Sequence, residues 1–163
     1  MNNEHTASRP HASGTDERTI HGVRWLRLAV VYLLVGVVLG IVMGATHDFT
    51  LRPVHAHLNL LGWTTLALAG LVYAVYPQAA TTRCARVHFW LYVTALPVMM
   101  LALAGLLLGH AGAVPALVAA QFAILGGVLA FALNVFLNLA PRRAPVAAVE
   151  PPAAACLPVA GRA

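Results

Sequence analysis

The sequence predicts an all-α protein, an integral membrane four-helix bundle with both termini cytoplasmic, and three observations carry that expectation. Of its 163 residues, 60% are apolar and only 9% charged. Residues 87–141 contain no Asp, Glu, Lys or Arg, and the run Leu28 to Thr46 is equally free of charge. The ten basic residues are all Arg and fall outside these runs. A water-soluble domain needs roughly a quarter of its residues charged to cover its surface, so that class is excluded, and collagen and disordered chains with it. The net charge of +5 is spread along hydrophobic segments, which topology explains better than recognition of a polyanion. No nucleic-acid partner is expected.

Residues 1–22 are polar and mixed in charge, and read as a disordered tail. The apolar stretch behind them is long enough to cross a bilayer, so a retained first helix is expected over about 23–46 rather than a cleaved signal peptide. A second span opens at Thr50-Leu51-Arg52-Pro53, where Thr50 is a candidate cap and Pro53 suits the first turn, and Pro77 stops it. At ~20 residues per crossing, the uncharged region after Arg86 makes two helices, over about 86–108 and 114–139. The stretch Gly109 to Pro115 is the good turn between them. The chain thus divides into a tail at 1–22, a transmembrane domain at 23–139 and a flexible Pro/Ala-rich tail at 140–163.

Positive residues of short loops stay in the cytoplasm. Arg9, Arg18, Arg24, Arg27, Arg83, Arg86, Arg142, Arg143 and Arg162 all fall on one side of the four-span arrangement, and Arg52 alone falls on the other. The expected location is a bacterial inner (plasma) membrane. Cys84 and Cys156 then face the reducing side, and no disulfide is expected. Gly36, Gly40 and Gly44 form a G-x-x-x-G-x-x-x-G row in the first helix, and the third carries Gly105 and Gly109. Such rows allow close backbone approach in lipid. Two partners stay open: another helix of the same chain, or a second copy in a homo-oligomer.

No carboxylate, Lys or Arg lies at membrane depth, so no proton relay or ion-coupled site stands out, and no catalytic residue is assigned. The polar residues that remain are His55, His57, Asn59, Thr64 and Thr65 in the second helix, His88 opening the third, and Gln121, Asn134 and Asn138 in the fourth. An intramembrane His is a functional candidate by default. His55 and His57 are separated by one residue, so on a helix they point about 200° apart and cannot grip one metal as an i, i+4 pair would. Each serves a different face. A neutral imidazole is an ordinary axial ligand for haem iron, and such a helix offers one to each side. The plainer reading has one His bonded to a neighbouring carbonyl and the other at the wet end of the helix.

The longer string His55-Ala-His57-Leu-Asn59-Leu-Leu-Gly62-Trp63, at the start of a transmembrane helix, resembles the tenth helix of subunit I of the haem–copper oxidase superfamily. The similarity is greatest to the nitric oxide reductase and high-affinity cytochrome c oxidase branches. More broadly, residues 23–139 resemble short four-span proteins classed with cytochrome c oxidase subunit I, in which Val87-His88-Phe89-Trp90-Leu91 and Leu96-Pro97-Val98-Met99-Met100 recur. The resemblance implies that His55 matches the ligand of a catalytic haem and His57 the ligand of an electron-transferring haem. It also implies metal-ligand candidacy for His88 and haem b as the cofactor, with copper the weaker candidate.

The departures from that family limit the activity. A complete oxidase holds a second metal through an adjacent His pair, which this chain lacks, and has about three times as many spans, so oxygen reduction by this chain alone is not expected. A second axial ligand opposite His57 would come from His110, from His47 or from a second subunit. Otherwise the iron keeps an open position suited to a diatomic gas such as O2 or NO. His57 and His88 lie ~20 Å apart along the membrane normal by helical rise and cannot share one haem. His110 reads either as that ligand or as an interfacial loop residue, and His88 either as a ligand or as part of an aromatic belt with Phe89, Trp90 and Tyr92. Arg52 reads as a partner for a haem propionate or as an i, i+4 partner for Asp48. Gly62 with Gly40 or Gly44 is expected to leave room for the porphyrin ring. Two functions follow: a small membrane haem protein that transfers electrons or binds a gas, using His55, His57, Asn59, Arg52 and His110; or a non-enzymatic accessory or assembly protein of a respiratory oxidase or reductase. Partners are the lipid bilayer and, in these readings, a redox partner or respiratory complex.

Overall fold

In the computed structural model the described residues are 13–139, with side chains described from Gly22 onward. The tail segments 1–12 and 140–163, with His5, His11 and Cys156, lie outside them. Four helices are long and apolar enough to cross a membrane. They are α1 (Ser13–Thr46), α2 (Arg52–Val75), α3 (Arg83–Leu107) and α4 (Val114–Asn138). No strand occurs among the described residues. The protein is an all-α integral membrane bundle.

The helix boundaries follow local chemistry. α1 begins well before the apolar run, inside the segment expected to be a disordered tail; once the span is helical, each upstream residue adds a hydrogen bond without a new nucleus. Pro53 sits in the first turn of α2, but Thr50 does not cap it. The amide and hydroxyl of Thr50 instead donate to Asp48 Oδ1, at 2.9 and 2.6 Å. Those bonds stabilise the carboxylate and hold Asp48 below its ordinary pKa. α2 ends where Tyr76 turns extended ahead of Pro77, and a single helical turn, Pro77–Ala80, with Ala79 and Ala80 buried, leads to α3. Thr82 caps α3 by accepting from the Ala85 amide at 3.0 Å.

Short connections force an up-down-up-down order. α1 lies along α2, and α3 along α4, so the bundle is two antiparallel hairpins. The hairpins meet through the start and middle of α2 against α3, and through the Pro77–Ala80 turn against α1 and α4. Asn134 of α4 ties that turn down: it is fully buried, donates to the Ala79 carbonyl at 2.9 Å and accepts from Thr82 Oγ1 at 2.9 Å. The outward faces of α1 and α4 are rows of exposed Val, Leu, Ile and Phe, as lipid contact requires.

The α3–α4 turn is fixed by Gly109, whose φ is +91°. The His110 amide donates to the Gly105 carbonyl at 2.9 Å and the Gly109 amide to that of Leu106 at 3.0 Å, a Schellman closure. A side chain at that φ is strained by about 1–2 kcal/mol. Gly109→Val is therefore expected to lower the unfolding free energy, measured by denaturant titration in detergent, by that amount. Gly112→Val, at a position with ordinary φ and no neighbour within 4 Å, is expected to have a much smaller effect.

Candidate functional site

The His pair lies in the first, α-helical stretch of α2, Arg52–His57, so the 200° divergence expected from the sequence applies. His55 faces α1. Its Nδ1–H donates to the Gly36 carbonyl at 2.9 Å, and its ring fills the notch over Gly40, where an added Cβ would stand 2.8 Å from the imidazole Cε1. Asn59, one turn on, donates Nδ2–H to the His55 carbonyl at 2.8 Å and rests against Gly36. Two polar residues therefore occupy the glycine surface of α1. The room expected for a porphyrin between Gly40 and Gly62 is taken: His55 fills the first and the Tyr32 side chain covers the second, its Cβ and Cγ 2.7 Å from where a Gly62 Cβ would be. Gly44 has no neighbour within 4 Å.

His57 leaves α2 on the other side and is half-buried. Its Nδ1–H donates to the Pro53 carbonyl at 2.7 Å, one turn back along the same helix. A carbonyl can only accept, so the neutral rings of His55 and His57 both carry their proton on Nδ1 and leave Nε2 as a bare lone pair. For His55 that nitrogen lies at the α1 contact. For His57 it points away from its own helix's hydrogen bond; a metal-binding imidazole is commonly held in this way, its other ring N–H donated to a carbonyl.

After His57 the helix widens into a π-helical stretch, Leu58–Thr65. The Thr64 and Thr65 hydroxyls donate to the carbonyls of Asn59 and Leu60, five residues back, at 3.1 and 2.9 Å. Tyr92 of α3 donates its hydroxyl to the Leu61 carbonyl at 3.1 Å. These side chains take up carbonyls on a stretch whose ladder is stretched. Hydrophobic periodicity carries no mark of this segment; the paired threonines are its only trace in the sequence.

The other candidates are dispersed. His88 is 2% exposed. It stacks on Trp25, with ring centroids 4.5 Å apart, is flanked by Phe131 and Tyr92, and shares a 3.0 Å hydrogen bond through Nδ1 with the Tyr73 hydroxyl. It is a core residue of the bundle and not one of an exposed aromatic belt; Trp90, two residues on, is the exposed one. His110 is exposed on the α3–α4 turn, its Nδ1 3.3 Å from the Gly105 carbonyl. Arg52 is exposed, with its guanidinium 5.5 Å above the Phe49 ring. Among the described residues, no group of three or more His, Cys, Asp or Glu is placed to hold a metal ion.

Two cavities lie in the joint between the hairpins. One, of about 540 Å³, is almost wholly apolar and opens between α1, α2 and α3 at the Asp48 end, with Val38, Val54, Leu58 and Met100 in its walls. Neither His55 nor His57 lines it. The other is at the arginine-rich end. Sequence reasoning missed both, since each depends on how far apart two hairpins settle. No family model, no curated protein and no solved structure matches this chain.

The geometry makes Gly40 and Gly44 unequal. Gly40→Val is expected to expel the His55 ring, separate α1 from α2 and lower the unfolding free energy by about 1–3 kcal/mol, the usual cost of overpacking. Gly44→Val is expected to be tolerated if its open face meets lipid. A larger loss at Gly44, with a shift in oligomeric mass, would point to a second copy on that face.

Proposed function

We propose that this chain is a small integral membrane haem protein in which His57 supplies the axial imidazole, acting in electron transfer or in binding of a diatomic gas such as O2 or NO. The observation that supports this best is the tethering of His57: Nδ1–H held on the Pro53 carbonyl at 2.7 Å, Nε2 unengaged, and the ring half-buried. The resemblance of the string His55 to Trp63 to a haem-ligating helix points the same way. Of the two imidazoles His57 is the better candidate, since the ring of His55 is wedged between two helices. A haem b on His57 would supply one-electron redox chemistry and, with a single protein ligand, an open position for gas.

What this chain's own residues do can be stated without the iron. Pro53 fixes the tautomer and aim of His57. His55 and Asn59 lock the opposite side of α2 to α1, so that His57 has a rigid mount. Arg52, one turn before the pair and without an ion-pair partner among the described residues, is the charge that would meet a propionate. In this reading the arginine-rich end lies in the cytoplasm and the membrane is the plasma membrane of a bacterium, with a redox partner or a respiratory complex as the electron source.

A second reading, an accessory or assembly protein of a respiratory oxidase or reductase, draws on the apolar 540 Å³ cleft, which suits a partner's transmembrane helix as well as a lipid chain. Under it, co-purification with a larger complex persists when His55 and His57 are both Ala.

The visible spectrum tests the first reading. Purified protein is expected to show a Soret band and a pyridine haemochrome of haem b. His57→Ala is expected to lose the band, and His55→Ala to keep it while unfolding earlier. A colourless wild type sinks the proposal, and a band that survives His57→Ala sinks the assignment.

A further inference from the structure

The cavity at the arginine-rich end, about 290 Å³, is built differently from the apolar cleft. Arg24 of α1 and Arg86 of α3 both line it, so its two charges come from different hairpins. Its floor is aromatic, from Trp25, Tyr73 and Phe89. Within residues 22–139 the only carboxylate is Asp48, at the opposite end of the bundle, so neither guanidinium has a carboxylate partner among these residues. The threonines of the wall are already committed. Thr81 donates to the Gln78 carbonyl, and Thr82 shares its one hydroxyl proton between the Ala79 carbonyl and Asn134 Oδ1 while accepting from the Ala85 amide. The charged donors lining the cavity are the two guanidinium groups, and the positive end of the α3 dipole adds to them.

We propose that this cavity binds the phosphate group of an anionic membrane lipid, which bridges Arg24 and Arg86 and clamps the two hairpins together. A guanidinium fork matches phosphate oxygens, and basic pockets between transmembrane helices on the cytoplasmic side suit such headgroups. The setting favours a lipid phosphate over a free one. Trp90 at the cavity edge is 61% exposed, as a residue at headgroup level is, and the apolar outer faces of the helices give the acyl chains a path. The volume accommodates a phosphate and glycerol but not the tails.

Native mass spectrometry of the purified full chain, titrated with phosphatidylglycerol or phosphatidylcholine, tests this. Wild type is expected to retain phosphatidylglycerol in preference to phosphatidylcholine, and inorganic phosphate in excess is expected not to displace it. The Arg24→Gln/Arg86→Gln variant is expected to bind it about thirtyfold more weakly, since each basic residue near the surface contributes about 1 kcal/mol and 1.4 kcal/mol is tenfold. Arg27→Gln/Arg83→Gln, two arginines at the same end that do not line the cavity, is expected to bind as wild type does. Equal loss in both variants would reduce the effect to surface charge and overturn the proposal. Displacement by inorganic phosphate would make it a site for the free anion and overturn the lipid assignment. A wild type that retains both lipids equally removes the site whether or not the variants fold.

Discussion

The close contact of α1 with α2 is the constraint from which the rest follows. In lipid there is no hydrophobic drive between helices, so association rests on van der Waals packing and on hydrogen bonds across the seam. Here the seam is glycine from end to end. A Cβ on Gly22, Gly36, Gly40, Gly62 or Gly70 would come within 3.0 Å of a neighbouring heavy atom, and Gly22 and Gly70 approach each other's backbone carbonyls. Only at that separation can the His55 ring lie over Gly40 and reach the Gly36 carbonyl. With His55 committed to α1, helical geometry leaves His57 turned off the seam. The presentation of one imidazole is thus set by the burial of the other.

The second constraint is that polar groups at membrane depth must find partners within the protein. Among the described residues, no buried side-chain nitrogen or oxygen lacks one. Asn59, Thr64 and Thr65 answer carbonyls of their own helix, while Tyr92 and Asn134 answer carbonyls of others. Tyr73 and His88 answer one another inside the aromatic cluster. Among the three intramembrane histidines, His55 is wedged against Gly40 and His88 stacks in the aromatic core, whereas the half-buried His57 is bonded only within its own helix.

The spans were legible in the sequence because the signals for them are local. Uncharged runs set the helices, Pro53 and Pro77 mark the bounds of α2, and Gly109 marks the turn after α3; apart from the start of α1 at Ser13, the observed ends fall within a few residues of those expected. The 200° divergence of His55 and His57 was equally legible, being a property of one turn of helix. What could not be read is what each face meets. Gly36, Gly40 and Gly44 look equivalent in spacing, yet Asn59 and His55 occupy the first two and the third is open. His88 reads as interfacial beside Trp90 because nothing near it in the chain announces that Trp25 will stack on it. The π-helical stretch was hidden for the same reason, since its carbonyls are met partly by Tyr92 from α3.

The two cavities divide the labour of the joint between the hairpins. Each hairpin is tight within itself, whereas α1 and α2 meet α3 across a line closed at mid-depth by aromatic contacts and by the Tyr92 bond to Leu61. Above and below that line the joint is open, apolar toward Asp48 and lined by arginine at the other end. α4 lines neither cavity, so α3 can shift against the first hairpin only by altering both. A ligand that bridges Arg24 and Arg86 would fix the angle at one end and thereby the width of the apolar cleft at the other. Because Val54 and Leu58 flank His57 in the chain and lie in the cleft wall, any change in that width is felt one residue from the candidate imidazole.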